Sequence, residues 1–177
     1  MTAEKNNLMA VFFILVCICL LTGCTGVLPA PTEDIPAENN SFGEGQDMAE
    51  EILADVLSVE VAGSPNAYQF SVEISSPDAG CDQYADWWEV LNEDGQLLYR
   101  RVLLHSHVSE QPFVRSGGPV NIEAETVVLV RAHMNNTGYG GQTIKGSVQS
   151  GFNEVQLSAD FAADAESKPP LPEGCDF

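Results

Sequence analysis

Along most of this chain apolar and polar residues alternate with a period of two. Tyr68, Phe70, Val72 and Ile74 alternate with Gln69, Ser71 and Glu73, which predicts a half-buried strand, and a similar pattern begins at Val56 and runs to Val61. Ser76-Pro77-Asp78-Ala79-Gly80 is a turn cluster. Tyr84 to Leu91, carrying Trp87 and Trp88, reads as the next strand; Asn92-Glu93-Asp94-Gly95 is a hairpin signal, and Leu97 to His105 is the return. Gln111 to Ile122 is interrupted by Pro112, Gly117, Gly118 and Pro119, which predicts only short strand pieces there. Thr126 to Met134 is strongly β-branched, Asn135 to Gly141 is a Gly-rich turn, and Thr143 to Gln149 reads as the last strand. Before all of these, Asp47 and Glu50 form a capping box for a short helix with Ile52, Val56 and Leu57 on one face; the alternative is that this segment merges into the Val56–Val61 strand.

About seven short strands at roughly 10-residue spacing, with no long helical pattern, predict an all-β fold, an antiparallel β-sandwich. A Trp in the third strand of such a series is similar to immunoglobulin-like and fibronectin type III domains. The chain lacks the cysteine pair across the sheets that true immunoglobulin domains have, and the resemblance implies an architecture rather than an activity. The domain is expected over 47–159, followed by an acidic, Pro-rich and irregular tail over 160–177.

The N-terminus departs from this pattern. Leu8 to Leu21 carries no charge and no strong hydrogen-bonding side chain. Such a run is short for a bilayer-spanning helix, which needs roughly 20 apolar residues, and suits the h-region of a signal peptide. Leu21-Thr22-Gly23-Cys24 follows, and it resembles the lipobox of bacterial lipoproteins. That resemblance implies that residues 1–23 are a signal peptide, that the Cys24 thiol is diacylated, and that Cys24 becomes the first residue of the mature chain. The alternative is an uncleaved signal anchor. The composition of Thr25 to Gln46, rich in Pro, Glu, Asn and Gly, predicts a flexible tether of roughly 25 Å r.m.s. span over 24–46. The expected location is a cell membrane or outer membrane, lipid-anchored and facing periplasm or exterior.

With seven basic and 26 acidic residues the net charge is −19, and it remains −19 when Glu4 and Lys5 leave with the signal. A surface this acidic repels nucleic acid and anionic headgroups; it favours solubility, cation condensation or a basic partner. Of the five cysteines, the lipobox reading discards Cys17 and Cys19 and lipidates Cys24. Cys81 and Cys175 remain, an even pair in an oxidising compartment, and a Cys81–Cys175 disulfide that ties the C-terminal tail back to the domain is predicted.

Candidate chemistry is sparse. The three histidines are His105, His107 and His133. Two residues apart on a strand, His105 and His107 point the same way. With His133 from another strand and Glu110 as a carboxylate ligand, they form a candidate zinc or copper site. The layout resembles the ligands of carbonic anhydrases in those three residues only. In a fibronectin-like order the strands carrying them flank the Tyr84–Leu91 strand, which separates them by about 9.6 Å, wide for a shared ion unless His107 lies on a loop that folds inward. Among Arg100, Arg101, Arg115 and Arg131, Arg101 and Arg131 share strand faces with the histidines and are candidates for an anion pocket. The alternative is pairing with Glu73, Glu89 or tail acids. There is no Gly-x-Ser-x-Gly elbow, no Walker loop, no calcium-loop spacing of acids and no catalytic cysteine once Cys81 and Cys175 pair. The sequence thus predicts a membrane-tethered, non-enzymatic β-sandwich that binds an envelope protein or extracellular ligand, or serves a structural role. The runner-up is an envelope zinc- or copper-binding protein.

Overall fold

The computed structural model describes residues 51–176. Eight strands build two antiparallel sheets: β1 (Asp55–Ala62), β2 (Tyr68–Ser75), β3 (Ala85–Asn92), β4 (Leu97–Val102), β5 (Phe113–Val120), β6 (Val128–Met134), β7 (Thr143–Ser147) and β8 (Gly151–Val155). The three-stranded sheet has the order β1-β2-β5 and the five-stranded sheet the order β4-β3-β6-β7-β8. The all-β sandwich expected from the alternation is therefore present, with β3 flanked by β4 and β6 as the fibronectin-like order requires. A short 3-10 helix, Ala163–Ser167, follows the strands. Among the described residues no helix is long and apolar enough to cross a membrane.

Alternation works because successive side chains of a strand leave opposite faces of the sheet. Phe70, Val72 and Ile74 of β2 meet Trp88 and Val90 of β3 and Val128 and Val130 of β6 in one core, all essentially without exposure. Each such burial contributes about 1.5–3 kcal/mol. The sheets approach closely where β5 crosses β3 and β4. A Cβ on Gly117 would lie 2.6 Å from the Tyr99 hydroxyl and 3.0 Å from the Trp88 ring, so the glycine there is a packing requirement.

Three expectations are corrected and a fourth is refined. Asp47 and Glu50 lie outside the described residues, but 51–54 hold no helix and β1 starts at Asp55, so this segment leads into a strand. β5 is one continuous strand despite Gly117-Gly118-Pro119. Among the described residues it sits at a sheet edge paired with β2, and the register shifts so that Gly118 and Pro119 oppose Gln69, a bulge at an edge where a proline is tolerated. β8 was not expected: its short, polar Gly-Phe-Asn-Glu-Val sequence is typical of an edge strand protected by charge and shortness. Finally, 160–176 is irregular apart from the 3-10 helix, but it is packed against the sheet. Phe161, Ala162 and Ala165 pack with Leu157 on Leu91 and Leu129, on the outer face of the five-stranded sheet.

That covering segment explains β3. Seven of its eight residues are buried, Ala85 through Leu91, because one face meets the core and the other lies under the C-terminal segment. The disulfide expected from cysteine counting joins Cys81 to Cys175 and fixes the end of that segment. Close by, the Asp176 N–H donates to the Leu104 carbonyl at 2.6 Å.

Candidate functional site

The outer face of the five-stranded sheet carries a row of charges. Glu89 on β3 stands directly opposite Arg100 on β4 and Arg131 on β6. Its Oε2 accepts from Arg100 Nη2 at 2.5 Å and Nε at 2.9 Å, and its Oε1 accepts from Arg131 Nε at 2.8 Å. The Glu89 and Arg100 side chains have 0% exposure and Arg131 has 4%. Buried charges persist only when every donor is answered, and the C-terminal segment answers them. Arg100 Nη1 donates to the carbonyls of Lys168 (2.6 Å) and Pro170 (3.2 Å), and Nη2 to that of Ala165 (2.7 Å). Arg131 donates to the carbonyls of Phe161 (2.6 Å) and Ala162 (3.0 Å). Aromatic faces close the remaining sides, with the Arg100 Cζ 4.3 Å over Trp87 and the Arg131 Cζ 3.5 Å over Tyr139.

Arg131 is therefore not part of an anion pocket: its fork is filled by Glu89 and main-chain carbonyls, the pairing alternative. Arg101 lies elsewhere, opposite Trp88 on the edge strand β4, exposed, with Nη1 donating to the Val102 carbonyl. It borders a small cavity of about 90 Å³ together with Arg115, His105 and His107.

The three histidines are not brought together. β4 ends at Val102, so His105 and His107 sit on the loop leading to β5 rather than on one strand face. His107 turns toward β5 and stacks on Phe113 at 3.8 Å, with the His105 ring 4.6 Å away. Its backbone N–H donates to Asp78 Oδ2 at 2.7 Å; Asp78 Oδ1 accepts from the Ser76 hydroxyl and the Ala85 N–H, so this carboxylate organises the loop. Burial, with Arg115 and His105 nearby, pushes the His107 imidazole below its ordinary pKa. Glu110 is committed to Arg115, at 2.7 Å, and that hydrogen bond holds its carboxyl below the usual range. His133 lies on the other side of the sheet, beneath the C-terminal segment. Among the described residues no group of three or more His, Cys, Asp or Glu side chains is placed to hold a metal ion. His105 and His107 do lie side by side, but on a loop rather than a strand face because β4 stops at Val102, and it is His133 that is left apart.

The chemistry that remains is at His133. Between Ala85 and Trp87 the β3–β6 register shifts, a bulge that inserts Asp86. The extra residue lets both Asp86 and Trp87 reach the same partner. Asp86 Oδ1 lies 2.7 Å from His133 Nδ1, and the Trp87 ring stacks on the imidazole at 3.7 Å, nearly parallel. Tyr139 meets the same imidazole edge-on at 4.7 Å. His133 Nε2 is buried with no hydrogen-bond partner, and Glu166 Oε1, from the 3-10 helix, is 3.7 Å from it. Burial raises the Asp86 pKa, against the opposing pull of the His133 hydrogen bond and charge. These groups border a cleft of about 550 Å³ whose walls include Tyr84, Glu173 and Cys175. A groove of equal volume between β1 and β8 is lined by Leu57, Val59, Ile144 and Phe152 with a single acid, Glu154, and holds no such cluster. Asp86 and Glu166 carried no sequence signal, since neither a bulge nor a folded-back tail is written in a local pattern.

Tyr139 reports on this arrangement. Burial, and then the Glu89 charge, push its phenol up to about 12 against the pull of Arg131 and Arg100. A phenol whose folded pKa exceeds its unfolded value disfavours ionisation in the fold, so stability is full below about pH 10 and falls as pH rises from 10 toward 12. Tyrosinate difference absorbance is expected to show a component near pH 12 that is absent from Tyr139→Phe. A titration curve unchanged by that substitution would contradict the assignment.

No protein-family model matches the chain, and no solved structure matches it. The chain is similar to a protein of Halomicrobium mukohataei named "Putative lipoprotein", 43% identical over 105 residues, which are 59% of this chain and 51% of that protein. The chain spans about half the length of that curated relative.

Proposed function

We propose that this chain is a lipid-anchored lipoprotein of the cell envelope whose β-sandwich is a binding or structural module held outside the cytoplasm. The observation that carries this reading is Leu21-Thr22-Gly23-Cys24 directly after the apolar run Leu8–Leu21; Cys24 lies outside the described residues. Two further observations support it: the relative that shares 43% identity carries lipoprotein in its name, and Cys81 is bonded to Cys175, a pairing that suits an oxidising compartment.

Each buried acyl CH₂ contributes about 0.8 kcal/mol to membrane binding, so two chains give stable anchoring where one does not. Cells expressing the full chain and fed radiolabelled palmitate are expected to label it and to retain it in the membrane fraction. Cys24→Ala is expected to lose the label. A wild-type chain that stays unlabelled in the cytosol with Met1 in place, or a labelled Cys24→Ala variant, would overturn the reading.

A further inference from the structure

The His133 side chain is only 4% exposed, yet Nε2 meets no donor and no acceptor within hydrogen-bonding distance. Asp86, at 2.7 Å, fixes the other ring nitrogen. That contact leaves Nε2 as the ring nitrogen open to a ligand. Glu166 Oε1 lies 3.7 Å from that nitrogen, beyond hydrogen-bonding distance. No local base is free to intervene: Arg100 and Arg131 are saturated by Glu89 and tail carbonyls, and Lys168 is paired with Asp164 at 2.6 Å. The remaining ionisable walls are Glu173 and the Tyr84 phenol. That phenol is raised by burial and then by the charges of Asp86, Asp78 and Asp176.

The donor set selects the cation. Imidazole nitrogen with carboxylate oxygen suits zinc, copper or nickel better than magnesium or calcium, which take oxygen ligands. Bonds of about 2.0–2.2 Å at a tetrahedral angle place nitrogen and oxygen about 3.4 Å apart. Glu166, whose side chain is 59% exposed, needs to close by only a few tenths of an ångström from its 3.7 Å. A carboxylate on the far nitrogen is the usual partner of a ligating imidazole, because it fixes the tautomer and the ring plane. We propose that His133 Nε2 and the Glu166 carboxylate bind a divalent transition metal of the zinc–copper class, with Asp86 as the positioning residue and water completing the coordination. This inference does not depend on the lipid anchor.

Trp87 supplies the readout, since its ring lies 3.7 Å from the imidazole and a bound Cu²⁺ would quench it. The full-length chain in detergent is titrated with Cu²⁺ alone and then with Zn²⁺ as competitor. Saturable quenching reversed by Zn²⁺ is expected. Glu166→Gln, an exposed change that leaves thermal unfolding intact, should weaken binding at least about tenfold. Asp86→Asn should weaken it about 10–100-fold, the usual cost of losing such a partner, and His105→Ala should leave it unchanged. Absence of saturable quenching, equal affinity in Glu166→Gln, or loss of quenching in His105→Ala would each overturn the proposal. Should Asp86→Asn fail to fold, Glu166→Gln and His105→Ala decide it.

Discussion

Glu89→Ala is expected to destabilise the domain by about 3–5 kcal/mol, the range for removing one partner from a buried ion pair. Set against a typical total of about 5–15 kcal/mol, that is enough to leave a substantial unfolded fraction. The reason is what stays behind. Arg100 and Arg131, with side chains at 0% and 4% exposure, would keep their charges, and the carboxylate that neutralises both would be gone. The two guanidiniums also hold the C-terminal segment through the carbonyls of Phe161, Ala162, Ala165, Lys168 and Pro170. Loss of Glu89 lets the arginines seek water, and the segment goes with them. Hydrogen exchange should therefore rise over 161–170 before the core strands yield. Replacing the whole triad with apolar residues has stabilised other proteins, but here it would strand those carbonyls without donors, so no such gain is expected. Urea midpoints of wild type, Glu89→Ala and Glu89→Gln measure the effect, with Gln intermediate because it keeps an acceptor but not the charge. A Glu89→Ala variant within about 1 kcal/mol of wild type would contradict the structural role given to the row.

That row shows where sequence reading stops. β2 was legible because its alternation matches a surface with one buried face, which the structure reproduces in the burial of Tyr68, Phe70, Val72 and Ile74. The flanking of β3 by β4 and β6 followed from the same strand order. β3 and β6 are different. Glu89, Arg131 and His133 fall where a strand buried on one face puts its solvent side, so their polarity reads as exposure. All three are buried because the C-terminal segment, which begins 30 residues after Arg131, folds over them. The cysteine pair announces that the end of the tail is tied back, but nothing local in the acidic, Pro-containing residues 158–176 says that it covers the row, since its contribution there is made by main-chain carbonyls, which every sequence possesses. Pairing of Glu89 stood among the alternatives for the arginines; the choice between it and an anion pocket needed the third dimension. The disulfide was legible for a different reason: once three cysteines are set aside, two remain, and counting replaces geometry.

Breaking that crosslink gives the second large effect, and one of a different kind. Cys81→Ser combined with Cys175→Ser is expected to cost about 2–5 kcal/mol. The bridge spans 94 residues, and in the chain-entropy description a loop of that length constrains the unfolded chain by about 4–5 kcal/mol. Most of that loss is in the unfolded state, so the folded domain should change little. Arg100 and Arg131 would still grip the carbonyls up to Pro170, and Ala165 would stay buried against Leu91 and Leu129. Only the stretch from Leu171 to Asp176 loses its fastening. The expected signature is thus a large shift of the urea midpoint with hydrogen exchange raised over 171–176 and unchanged around Ala165, the reverse of the Glu89→Ala pattern, where the segment is released from its middle. Because Leu171, Glu173 and Cys175 also wall the His133 cleft, the double serine variant should widen that cleft without disturbing the Asp86–His133 pair. A midpoint unchanged in the double variant would mean that the arginine carbonyl contacts alone fasten the segment, and exchange spreading to Ala165 would mean that the bridge, rather than the buried row, holds it to the sheet.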